Sequence, residues 1–126
     1  MSADGSSYED LYDDLIGFVP PRIRERLKLE REVNPDLLAQ VEAIREAAMY
    51  PASMDVKTAQ MILFGILLTQ VSPASEYHAR GAARAGATKE ELHDVAALAF
   101  LFRGLPAFNL AGEVLNKVFD SKSGPA

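Results

Sequence analysis

The amino-acid sequence predicts an all-α protein, a compact helical domain of about six helices. Apolar residues recur three and four positions apart along most of the chain, the spacing that lines one face of a helix. Helix-start chemistry (Asn-Pro, Ser-Pro and a Thr-x-x-Glu box) precedes several of these stretches. No segment alternates with period two for long enough to make a strand.

Residues 1–7 are polar and acidic and read as a flexible N-terminus. The folded domain is expected over 8–120, with a second flexible end, rich in Ser, Gly and Pro, at 121–126. A weak helix is expected from Tyr8 to Ile16. Pro20-Pro21 then breaks the chain, and a short amphipathic helix places Ile23 and Leu27 on one side. Asn34-Pro35 supplies a capping side chain and a proline at the first helical position. Leu37, Leu38, Val41, Ile44 and Ala48 then mark a helix ending near Tyr50-Pro51. Asp55 caps the next helix, which is apolar nearly all round from Met61 onward and therefore needs cover on every side. Ser72-Pro73 opens a helix running through His78 to about Ala85, with Gly86 as a left-handed stop. Thr88 and Glu91 form a capping box ahead of Leu92, Val95, Ala96, Ala99 and Phe100; that helix stops at Gly104. A last helix runs from Leu105-Pro106 to about Phe119.

Composition narrows the function. A chain of 126 residues, 48% hydrophobic and 25% charged, is sized and composed for one globular domain. A net charge of −5 argues against nucleic acid, whose phosphates call for a basic face. The most basic stretch, Arg22 to Arg31, is diluted by Glu25 and Glu30 and reads as a solvated helix face. The chain has no cysteine, which excludes disulfides, thiolate metal sites and thiol redox cycles. The polar, acidic N-terminus does not read as a signal peptide, so none is expected, and the apolar run Met61 to Leu68 is too short to span a bilayer. A soluble, cytoplasmic protein without membrane contact is expected. Ala79, Ala82, Ala83 and Gly86 form a small-residue stripe that lets a neighbouring helix approach closely. Phe100, Leu101, Phe102, Leu105 and Phe108 make the C-terminal third very apolar, as in a subunit interface; an intramolecular core is the plain alternative.

The segment from His78 to Leu92 joins a histidine-bearing helix, a small-residue stripe, Gly86-Ala87-Thr88 and the pair Glu90-Glu91. It resembles the signature of the carboxymuconolactone decarboxylase family, and Gly104-Leu105-Pro106-Ala107-Phe108-Asn109 resembles the Gly-x-Pro-Ala-x-Asn of its decarboxylase branch. With the helix from Lys57 to Leu68, the resemblance covers roughly Asp55 to Val118. It implies an alkylhydroperoxidase D-like fold and a homo-oligomer, a trimer or hexamer. The peroxidase branch carries a Cys-x-x-Cys pair before the histidine and a glutamate relay upstream. Here Val71 to Tyr77 holds no thiol and Gln60 occupies the relay position, so peroxidase activity is not expected. The decarboxylase branch removes carbon dioxide from γ-carboxymuconolactone without a cofactor. The electron pair left behind spreads into the lactone carbonyl as a dienolate, so the enzyme need only desolvate the carboxylate, stabilise an oxyanion and deliver a proton.

On that reading His78 is the catalytic residue, a general acid or an oxyanion donor; the bland alternative is a helix histidine satisfied by a neighbour. Arg103, Lys57 and Gln60 are the candidate substrate-binding residues. Arg103, in an otherwise apolar run, either grips a carboxylate or solvates a helix end beside Gly104. Lys57 either matches a basic residue of the decarboxylases or is an exposed lysine in a first turn. Arg80 and Arg84 read as surface residues, Glu76 and His93 as solvent-exposed, and Asn109 as a backbone crosslink. The two histidines have no acidic partner at ligand spacing, so neither a metal nor another cofactor is expected. The chain also lacks the tryptophan-rich N-terminal segment of true decarboxylases. Three functions follow: a cofactor-independent lyase on a small carboxylated unsaturated lactone or keto acid, a proton-transfer isomerase or cyclase, and a non-catalytic oligomeric binding protein.

Overall fold

Local signals set most helix ends. A computed structural model of the protein describes residues 7–120, which form seven helices and no strand. The expected flexible ends lie outside the described residues except for Ser7, whose side chain caps the first helix, α1 (Tyr8–Ile16), in a box with Asp10. Helix α2 (Pro21–Val33) follows the Pro20-Pro21 break. Helix α3 (Pro35–Met49) starts on Asn34, whose side chain accepts from the Leu37 amide at 3.1 Å. Asp55 caps α4 (Val56–Thr69) by accepting from the Thr58 amide at 2.7 Å. Thr88 and Glu91 close their box at 3.0 and 2.9 Å to open α6 (Lys89–Arg103), and Gly104, at φ +85°, turns the chain into α7 (Leu105–Phe119).

The start of α5 departs from expectation. Ser72 holds a turn ahead of the helix, its hydroxyl accepting from the Ala74 amide at 3.2 Å, and α5 itself spans Ser75–Arg84. The reason lies one residue upstream. Val71 takes a left-handed φ of +50°, and Val71 and Ser72 donate to the carbonyls of Leu68 and Leu67 at 2.9 and 3.0 Å. This is the double-bonded helix stop that usually employs glycine.

Helix α4 is the hub, packing on α3, α5, α6 and α7, while α5 also meets α1 and α7. The main core gathers Phe64 and Leu68 of α4, Ala79 and Ala82 of α5, Leu92 and Ala96 of α6 and Val114 of α7. The stripe alanines Ala79 and Ala82 are wholly buried, as close helix approach requires. A smaller core of Tyr8, Tyr12, Leu27 and Leu38 joins α1 to the α2–α3 hairpin. Cover is incomplete on one side. Ile62 and Ile66 of α4 and Leu98 and Phe102 of α6 remain exposed, Phe102 at 92%, so α4 is not covered all round within one chain. No helix of the described residues is long and apolar enough to cross a membrane.

Candidate functional site

Helix α5 is short and leans on α4, which brings His78 against Gln60. The Gln60 side chain is wholly enclosed, and its Oε1 lies 2.8 Å from His78 Nδ1. Its Nε2 donates weakly to Met49 Sδ at 3.6 Å, which orients the amide with oxygen toward the ring. A carbonyl oxygen only accepts, so Nδ1 carries the hydrogen and Nε2 of the neutral ring keeps its lone pair. Gly81 makes room for this contact: a Cβ there would sit 2.7 Å from Gln60 Oε1.

Burial depresses the half-buried His78 imidazole from 6.5 to about 4, and the Arg45 guanidinium adds to the depression. The ring is therefore neutral at pH 7. Arg45 belongs to a cluster built across three helices around the buried Glu42 carboxylate. Glu42 accepts from the Tyr12 hydroxyl at 2.8 Å, Arg26 Nη2 at 2.6 Å and Arg45 Nη1 at 3.3 Å, and Arg45 also donates to Tyr12 Oη. A cavity of about 20 Å³ beside Tyr12, Arg45 and Met49 has room for one water. None of the five principal cavities of the single chain has His78 in its wall.

Of the four residues singled out from sequence, the structure joins two, His78 and Gln60. Lys57 turns instead to Glu91, with Nζ 2.9 Å from its carboxylate, and tethers α4 to α6. This pair stands at the polar end of an apolar groove of about 660 Å³ floored by Met61, Ile62, Leu98 and Phe102. Arg103 is exposed in the last turn of α6 and is not among the residues lining that groove.

Three other readings need correction. Arg80 is no surface residue: it is 8% exposed, with Nε 3.0 Å from Glu76. Glu76 is likewise enclosed, and its other oxygen meets Lys117 at 3.2 Å. The Glu76–Arg80 spacing of four is a readable helix-pair signal. Asn109 is exposed on α7 and makes no side-chain hydrogen bond among the described residues, so it crosslinks no backbone. His93 is solvated as expected, its side chain 61% exposed. Arg45 was missed because thirty-three residues separate it from both Tyr12 and His78, and no short-range pattern announces such a neighbour.

Fold and site together define a thiol-free, all-helical protein that holds one neutral imidazole at the α4–α5 contact. The chain belongs to the carboxymuconolactone decarboxylase family, whose model matches residues 35–117. It is 31% identical over 96 residues to the uncharacterized protein MJ0742 of Methanocaldococcus jannaschii, spanning 75% of this chain and 92% of that one. Its fold is similar to the crystal structure of apo-lpg0406, a carboxymuconolactone decarboxylase family protein from Legionella pneumophila. The TM-score is 0.69 at 23% identity, with 90% of this chain and 98% of that one covered.

Proposed function

We propose that the protein is a cofactor-independent lyase acting on a small carboxylated unsaturated lactone or keto acid, with His78 Nε2 as the atom that carries the proton. The carrying observation is the 2.8 Å contact that commits Nδ1 to Gln60 and leaves Nε2 as the free nitrogen. Gln60, enclosed and bonded at both ends, is a positioning residue in this reading and does not touch substrate.

The depressed pKa shapes the mechanism. The resting ring is neutral and has no proton to give. A substrate carboxylate beside it favours the imidazolium, so the proton enters from solvent as the anion binds. The bond to the carboxylate carbon then breaks, its electron pair passes into the dienolate, and carbon dioxide leaves. Nε2–H protonates the dienolate carbon, returning the neutral ring. Lys57 and Arg103 are candidates for the substrate's charged end only in an assembly that brings them to His78.

We further propose that the protein works as a homo-oligomer, a trimer or hexamer. Ile62, Ile66, Leu98 and Phe102 form an exposed apolar face along α4 and α6, and none of the five principal cavities among the described residues has His78 in its wall. Sedimentation of the wild type and Phe102→Glu tests this: a monomeric wild type would refute it.

A proton-transfer isomerase is the second reading, favoured by the neutral resting ring, which can accept a carbon-bound proton directly. The pH profile separates the two. For the lyase, kcat/KM falls about tenfold per unit above pH 4, because the reacting form must hold a proton; for the isomerase it rises through pH 4 and levels off. Lactone absorbance is followed for the wild type and His78→Ala, which should lose about a hundredfold or more. Equal lactone loss with and without protein would end the proposal for that substrate.

A further inference from the structure

Arg80 and Arg84 follow His78 by two and six residues, so they turn to the other side of α5. There they line a cleft of about 330 Å³ together with Ile16, Gly17, Ala83 and Val118. Arg80 is enclosed and its Nε is engaged by Glu76, yet its buried Nη2 has no hydrogen-bond partner among the described residues. Such an enclosed donor is costly to leave unmet, and native structures rarely do so. Arg84 packs over Gly17, where a Cβ would lie 3.1 Å from its Nη1, and forms no ion pair among the described residues. Among the described residues, Arg80 and Lys117 share the Glu76 carboxylate, while Arg84 has no ion-pair partner.

We propose that this cleft is a second binding site, for a small organic acid. The two guanidinium groups hold the carboxylate, and a short apolar body lies on Ile16, Ala83 and Val118. The apolar floor selects an organic carboxylate over inorganic phosphate. The competing role for Arg84 is to cap the C-terminal end of α1 at Gly17, which needs no ligand.

Benzoate is a suitable probe, titrated at pH 7 and fixed ionic strength with amide chemical shifts as the readout. The same spectra show that each variant is folded. The wild type should bind saturably and acetate more weakly. Arg84→Gln, which removes one guanidinium, and Ala83→Leu, which fills the cleft while keeping both charges, should each weaken benzoate at least tenfold. His78→Ala should leave its affinity unchanged. Unaltered binding in both cleft variants would overturn the proposal, as would loss in His78→Ala, which would place benzoate beside the imidazole. Equal competition by chloride would mark an unspecific anion effect and overturn it too.

Discussion

Lowering the pH from 7.5 to 5.0 should destabilise the protein through His78 alone among its strongly shifted groups. Its folded-state pKa of about 4 lies below the ordinary 6.5, so the unfolded chain takes up the proton first. The stabilisation is complete above pH 6.5 and drains away as the pH falls toward 4. At about 1.4 kcal/mol per unit, the full shift corresponds to about 3 kcal/mol, of which about 2 is lost by pH 5.0. Glu9, held at about 2 by its hydrogen bonds to Arg31, titrates below this window and does not interfere. Urea unfolding of the wild type and His78→Gln at both pH values isolates the effect, because every other group is shared. The wild type should lose about 2 kcal/mol more than the variant. Equal losses in the two proteins would show that the imidazole is not desolvated as the structure has it.

Replacing Gln60 by glutamate puts a carboxylate where an amide oxygen now lies 2.8 Å from Nδ1. The His78 titration, followed by two-dimensional NMR, should rise to 6.5 or above; a midpoint still near 4 would contradict the contact. Glu42→Ala leaves Arg26 and Arg45 without their shared carboxylate. Because both arginines are about one-third exposed, the cost should be about 2–3 kcal/mol by urea unfolding, below the fully buried range, and a loss under about 1 would refute the cluster's importance. Val71→Gly relieves a β-branched residue at φ +50° and should stabilise by about 1 kcal/mol, read as a melting temperature about 3 °C higher. An unchanged or lower melting temperature would count against that strain.

The helical architecture was legible because its punctuation is local. Asn34-Pro35, Asp55, the Thr88–Glu91 box and Gly104 each set a boundary through a side chain or backbone preference acting within three residues. The α5 start was misplaced because Ser72-Pro73 resembles a cap, while the left-handed Val71 spends Ser72 on closing α4. The site was only half legible. His78 came from the family resemblance, and Gln60 from its place at the relay position. Arg45, Glu42 and Tyr12 converge through tertiary packing of α1 and α3, which residue spacing cannot encode. Lys57 found Glu91 by the same kind of long-range meeting. The apolar surplus of the C-terminal third was visible in composition; its outward placement at Leu101, Phe102 and Leu105 required coordinates.

Long-range proton–nitrogen correlation of the His78 ring at pH 7 tests most directly how the imidazole is held. The Gln60 contact predicts a protonated, pyrrole-like Nδ1 and an unprotonated, pyridine-like Nε2. A hydrogen on Nε2, whether alone or on both nitrogens, would contradict the resting state on which the proton-transfer chemistry is built.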